Sequence, residues 1–141
     1  MRGRPTPQGM SSGTLADMCD IVREGAGEKL RYFARADGDT REVEVLHLRA
    51  DLEWTDQRER EVDAELNEIL ARESYEYLMD AENVNQIIKV ADGKILFTGF
   101  VDDDLAVAAF ERGILPVLPS IVGEFREYMR EHDVDFIALD M

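Results

Sequence analysis

Apolar residues near the start of the chain recur at intervals of three and four, which is the spacing of an amphipathic helix. Thr14 precedes this run as an N-cap, and Asp17 follows at the capping-box position for an acidic residue. Gly25 and Gly27 come after the run, and glycine commonly ends helices. The pattern predicts a first helix with one apolar face, formed by Leu15, Met18, Ile21 and Val22.

Alternation of apolar and polar positions, the spacing of a β-strand, occurs in two later regions. Residues 30–48 contain two alternating runs on either side of Asp37-Gly38, a dipeptide that favours a hairpin turn. Residues 84–110 contain three apolar runs joined by Asp92-Gly93 and by Asp102–Asp104, and they predict a three-stranded meander. The second hairpin strand is apolar on both faces toward its end, which indicates a sheet covered on both sides.

Two further helices are predicted from apolar stripes at helical spacing. Thr55 is the N-cap of the second helix, whose narrow stripe lies opposite a charged face: Val62, Leu66, Ile69 and Leu70. Residues 74–83 are less regular and predict a helical turn followed by a loop. Pro116 and Pro119 stand where a helix tolerates proline, and they introduce the broad stripe of the last helix: Leu118, Ile121, Val122, Phe125 and Met129.

The order of elements is helix, two strands, helix, three strands, helix. It predicts an α+β fold with a five-stranded antiparallel sheet and helices on both faces. We expect residues 1–13 to form a disordered N-terminal arm, residues 14–132 a single domain, and residues 133–141 an acidic and hydrophobic tail.

The chain is strongly acidic, with 31 Asp and Glu against 16 Lys and Arg and a net charge of −15. Only three of the basic residues are lysines. Excess carboxylate repels itself unless salt screens it, so this composition is typical of a halophilic protein; an ordinary acidic protein is the alternative. No basic patch is present, and this excludes a nucleic-acid partner.

The sequence also indicates a cytoplasmic location. Cys19 is the single cysteine, which rules out an intrachain disulfide and suits a reducing compartment. No apolar run approaches the roughly 20 residues that span a bilayer, so no membrane association is expected. The two N-terminal arginines are not followed by the apolar core of a secretory signal.

Candidate catalytic, cofactor and metal sites all have simpler explanations. His47 lies on a predicted strand face as a half-buried residue, and His132 lies at a helix end, where an imidazolium suits the helix dipole. Motifs of esterases, zinc proteases and phosphate-binding loops are missing from the sequence. Asp102–Asp104 could attract calcium or magnesium, but adjacent turn residues point in different directions. The sequence therefore predicts no enzyme, cofactor or metal.

The tail carries four apolar residues among aspartates: Val134, Phe136, Ile137 and Leu139. Apolar side chains in a solvated tail are costly, so we expect the tail to dock. It docks either as a strand on the edge of its own sheet, which we favour, or on a protein partner.

The order of elements over residues 14–132 resembles the roadblock family, whose fold is longin-like and profilin-like. Two stretches, "RYFARADGDTREVEVLHLRADL" and "NQIIKVADGKILFTGFVDDDLAVAAFERG", are also similar to small acidic haloarchaeal proteins. The roadblock resemblance implies a dimeric adaptor that does not catalyse a reaction and often acts beside small GTPases. A homodimer built across sheet edges or helices is therefore expected.

The first functional interpretation is a regulatory or adaptor domain that acts through protein–protein contact. The alternative is a small-molecule sensor of the PAS or GAF type, with a pocket between sheet and helix. An enzyme of unrecognised type is the third interpretation.

Overall fold

The structure is a computed structural model of the 141-residue chain, and it describes residues 6–80, 86–101 and 104–132. Within these ranges the backbone alone is described at residues 6–12, 68–70, 73 and 101.

The described chain forms one five-stranded antiparallel sheet with strand order β2-β1-β5-β4-β3. The strands are β1 (Leu30–Ala36), β2 (Val43–Leu48), β3 (Gln86–Val90), β4 (Ile95–Val101) and β5 (Asp104–Phe110). The helices are α1 (Thr6–Ala26), α2 (Asp56–Met79) and α3 (Leu118–Glu131), with short 3-10 turns at Gly27–Lys29 and Arg112–Ile114. The predicted α+β fold, with its hairpin and its three-stranded meander, is confirmed.

The last strand of the sequence, β5, lies at the centre of the sheet. All seven of its residues are buried, because helices cover both faces of the sheet. Three of those residues are alanines, whose small side chains let helices approach the sheet closely. Strands β2 and β3 form the two edges of the sheet.

The helices divide the apolar residues between two cores. On one face α1 and α3 pack on Phe33, Phe97 and Phe110, and the large contributors from the helices are Leu15, Met18, Val22, Ile121, Phe125 and Met129. On the other face α2 places Val62 and Leu66 over the sheet, where they meet Tyr32, Leu96, Phe100, Leu105 and Val107. Among the side chains that the structure describes, α2 contributes fewer buried apolar residues than the α1–α3 pair, and the predicted stripe residues Ile69 and Leu70 lie outside that set.

Some predicted helix ends are confirmed and others are wrong. Gly27 takes a φ of +56° directly after α1, as the predicted helix end requires. The start is different, because α1 begins at Thr6 and Thr14 lies inside it. Thr55 does cap α2, since its hydroxyl accepts a hydrogen bond from the backbone N–H of Arg58 at 3.2 Å.

Helix α2 is longer than predicted. It continues through Ser74–Met79, where the sequence predicted a turn and a loop, and ends with Asp80 at a φ of 53°. The residues of that segment include good helix formers and neither glycine nor proline, so the helix propagates even where the apolar stripe is lost. Similarly, Asp104 belongs to β5 rather than to the preceding turn.

Candidate interaction surface

Helix α2 is attached to the sheet by a row of polar contacts, one of which is made by Glu65. This glutamate is only 5% exposed. Its Oε1 accepts a hydrogen bond from the hydroxyl of Thr98 at 2.7 Å, and its Oε2 lies 2.8 Å from Nζ of Lys89. A buried carboxylate is tolerated only with such partners, so the contact fixes the position of α2 above β3 and β4.

Glu61 repeats this arrangement one helical turn earlier. Its Oε1 accepts a hydrogen bond from the hydroxyl of Tyr32 at 2.6 Å, and its Oε2 pairs with the ammonium of Lys94. Burial, reinforced by the hydrogen bond to Glu61, raises the pKa of Tyr32 far above its usual range, so the hydroxyl remains a donor. Two of the three lysines in the chain, Lys89 and Lys94, therefore pair with α2.

Further contacts follow α2 along its length. On the β2 side, Nη2 of Arg41 lies 2.7 Å from Oδ1 of Asp63 and 3.2 Å from Oδ1 of Asn67. Further along, the guanidinium of Arg72 lies 5.1 Å from the ring centroid of Phe100, a cation–π contact near the end of β4. Helix α2 extends seven residues beyond Arg72, which corresponds to about 10 Å.

That extension ends in three consecutive apolar side chains that face solvent. Tyr77 is 85% exposed, Leu78 is 77% exposed and Met79 is 68% exposed. After six intervening residues the chain continues as the edge strand β3, which begins opposite Gly99 and ends at Val90, a residue 62% exposed that pairs with Ile95. We call Tyr77, Leu78, Met79 and the outer edge of β3 (Gln86–Val90) the α2–β3 surface. Adjacent exposed apolar side chains such as Tyr77, Leu78 and Met79 are typical of protein interaction sites.

A second polar cluster links the neighbouring strands β2, β1 and β5 near the C-terminal end of β1. Arg35 is 8% exposed on β1. Its Nη2 lies 2.9 Å from Oδ2 of Asp104 on β5, and its Nη1 lies 3.1 Å from Oε1 of Glu44 on β2. Asp104, one of the three turn aspartates, is therefore a partner of a buried guanidinium. The other two, Asp102 and Asp103, lie outside the described residues.

Between the sheet and the α1–α3 pair, the described residues leave little space for a ligand. An apolar cavity between the sheet and the α1–α3 pair has a volume of about 20 Å³, close to that of one water. Small-molecule sites usually enclose roughly 300 Å³ or more. This cavity therefore disfavours the sensor alternative.

The contacts of the two histidines and the cysteine indicate structural roles. Desolvation, with a smaller contribution from the charge of Arg23, lowers the pKa of half-buried His47. The Nδ1 of His132 lies 2.9 Å from the carbonyl oxygen of Tyr128, and its ring stacks on the tyrosine ring, so His132 completes the end of α3. Burial raises the pKa of Cys19 to about 11, which makes its thiol a poor nucleophile.

Two observations concern metals and membranes. No group of three or more His, Cys, Asp or Glu side chains is arranged to hold a metal ion within the described residues. In that same part of the chain, no helix has both the length and the apolar character needed to cross a membrane. The predicted docking residues Val134, Phe136, Ile137 and Leu139 lie outside the described residues.

Sequence comparison finds no match, whereas structure comparison finds proteins of similar fold. No protein-family model matches the chain, and no curated protein matches it significantly. Among solved structures, MglB of Myxococcus xanthus superposes with a TM-score of 0.58 at 8% identity, over 88% of this chain and 92% of that one. The gliding protein MglB from Thermus thermophilus superposes with a TM-score of 0.59 at 12% identity, over 79% and 84% of the two chains. The chain therefore has the roadblock-like fold of these proteins.

Proposed function

We propose that this protein is a cytoplasmic regulatory or adaptor domain that acts as a homodimer through protein–protein contact and does not catalyse a reaction. The observation that carries the proposal is the α2–β3 surface. Three apolar side chains stand exposed at the end of α2, and an edge strand lies next to them in sequence. Covering the exposed side chains removes apolar area from water, and a second strand can pair with the edge strand β3.

A second copy of the chain suits this surface. In a twofold dimer the same patch meets itself, so β3 pairs antiparallel with its own copy, and the end of each α2 comes to the Val90 end of β3 in the other copy. Backbone pairing of β3 fixes the relative orientation of the two copies, and Tyr77, Leu78 and Met79 provide apolar contact. Two copies that each carry a charge of −15 repel one another, so salt strengthens the dimer.

The fold suggests the class of partner. The roadblock resemblance implies an adaptor that acts beside a small GTPase, and the two solved structures described above are both MglB proteins, one of them titled a gliding protein. We extend this to a small GTPase as the protein partner of the present chain. The proposal requires no cofactor, metal or nucleic acid, and it places the protein in a salt-rich cytoplasm.

Sedimentation velocity over a range of protein concentrations tests the homodimer in about 1 M KCl, where the Debye length is ~3 Å. We expect a dimer for the wild type and a monomer for Leu78→Glu, which places a charge in the apolar contact. Leu115→Glu is the matched control, because Leu115 is also exposed, at 50%, but precedes α3. It should remain dimeric. A wild-type protein that stays monomeric at every concentration would overturn the proposal.

Native mass spectrometry of the same samples addresses the alternative. A monomer that retains a small molecule through purification would support the sensor interpretation. A dimer without ligand would support the adaptor.

A further inference from the structure

One row of the sheet has two small residues, Ala106 and Gly99, on adjacent strands on the face covered by α1 and α3. The register aligns Glu44, Arg35, Ala106, Gly99 and Gln86 across all five strands. Gly99 is buried, yet a Cβ at this position would meet no atom within 4 Å. The small residues of the row therefore leave a hollow above β4, which we call the Gly99 hollow.

The Gly99 hollow is apolar and partly open to solvent. It is the region around Gly99 and Ala106 in the cavity described above, and Phe97 and Phe125 also line it. Its volume of about 20 Å³ is too small for a separate ligand but accepts an alkyl group or the edge of a ring. An apolar side chain that lay over it would gain contacts at little cost in rearrangement.

The C-terminus of α3 points toward the end of the sheet that contains the Arg35–Gly99 row. Asp17 of α1 accepts a hydrogen bond from Tyr128 of α3, and Gly25 of α1 lies beside Ile121, so the two helices are antiparallel. Because α1 leads into the start of β1, the C-terminus of α3 points toward the opposite end of that strand, where Arg35 lies.

The chain beyond α3 is long enough to return to the hollow. From Phe125 to His132 the helix rises about 10 Å. Residues 133–136 reach about 13 Å when extended, so position 136 can fold back to the level of Phe125. In an extended conformation Val134 and Phe136 would share one side of the segment, and the aspartates at 133 and 135 would share the other.

We propose that residues 133–141 fold back against their own domain, with Phe136 seated over the Gly99 hollow. The occupant is the chain's own tail because a short tether keeps it near the hollow at a concentration in the millimolar range. A separate partner would have to compete with that concentration. This inference does not depend on the proposed dimer, since it concerns the face covered by α1 and α3 rather than the outer edge of β3.

A double-mutant cycle in the full chain tests the docking, with Phe136→Ala and Gly99→Val measured by urea unfolding in about 1 M KCl. Valine at position 99 fills the hollow with a residue that suits a strand. We expect Phe136→Ala to raise the unfolding equilibrium constant about tenfold in the wild type and less than about twofold in the Gly99→Val background, because coupled sites are not additive. Ile137→Ala is the matched control, since Ile137 points away from Phe136 in an extended segment.

Each other outcome counts against the proposal. Equal effects of Phe136→Ala in both backgrounds would place Phe136 elsewhere. If Phe136→Ala does not change the unfolding equilibrium in the wild-type background, the tail does not dock on its own domain, and a separate partner becomes the better candidate. An effect that grows with protein concentration would identify a second copy as the occupant, and an equal effect of Ile137→Ala would refute Phe136 as the anchor.

Discussion

The ion pair between Arg35 and Asp104 should contribute far more to stability than the pair between Arg35 and Glu44. Both carboxylates contact the same guanidinium, at 2.9 Å for Asp104 and 3.1 Å for Glu44. Their surroundings differ, because the side chain of Asp104 is 10% exposed and that of Glu44 is 59% exposed. Asp104→Asn and Glu44→Gln therefore make the same chemical change in two dielectric environments.

The expected magnitudes follow from that difference. Two unit charges about 4 Å apart attract by roughly 4 kcal/mol at an effective dielectric constant of 20. Removal of one partner of a buried pair costs about 3–5 kcal/mol, and the lower value applies here because Arg35 keeps Glu44 as a second partner. Exposed pairs contribute about 0–1 kcal/mol, because water and salt screen them. We expect Asp104→Asn to destabilise the fold by about 3 kcal/mol and Glu44→Gln by less than about 1 kcal/mol.

Urea unfolding followed by the fluorescence of Trp54, the single tryptophan, measures both variants. Trp54 packs edge-on against Tyr32, and it therefore reports on the α2 side of the sheet without contacting the mutated residues. With a slope of about 1–3 kcal/mol per molar urea, a loss of 3 kcal/mol lowers the midpoint by roughly 1–3 M. Equal midpoints for the two variants would refute the argument from burial, and so would a difference that vanished in about 1 M KCl.

Three further predictions concern individual residues. Gly25→Ala would place a Cβ 2.7 Å from Cγ1 of Ile121, and it should lower the free energy of unfolding by about 1–3 kcal/mol. Gly123→Ala is the comparison, because a Cβ there meets no atom within 4 Å; it should raise the free energy of unfolding by about 0.5–1 kcal/mol, and thermal unfolding measures both variants. Thr55→Ala removes the N-cap of α2 and should cost about 1 kcal/mol in urea unfolding, and an unchanged midpoint would contradict that role. Because folding raises the pKa of Cys19 from 9.0 to about 11, stability should fall as pH rises through that interval, and Cys19→Ala should remove this contribution; identical pH profiles would contradict it.

The local features of this fold could be predicted from the sequence because neighbouring residues determine them. Gly27 ends α1 because glycine adopts a positive φ at low cost, and Thr55 starts α2 because its hydroxyl accepts a hydrogen bond from an otherwise unpaired N–H. The alternating runs and their Asp-Gly turns predicted the hairpin and the meander. Periodicity also identified the apolar faces of the helices, so the element order and the covered sheet followed from the sequence.

The candidate site could not be predicted in this way, because its properties depend on what lies beside each residue. Arg35 and Asp104 are 69 positions apart, and in so acidic a chain no pattern distinguishes the glutamates that bind Lys89 and Lys94 from those that face water. The apolar run at Tyr77–Met79 shows the limit most clearly. Sequence records that these side chains are apolar, but only the tertiary structure decides that α2 extends past β4 and leaves them in solvent. Burial is a property of the packed elements, and therefore the surface available to a partner was decided by packing.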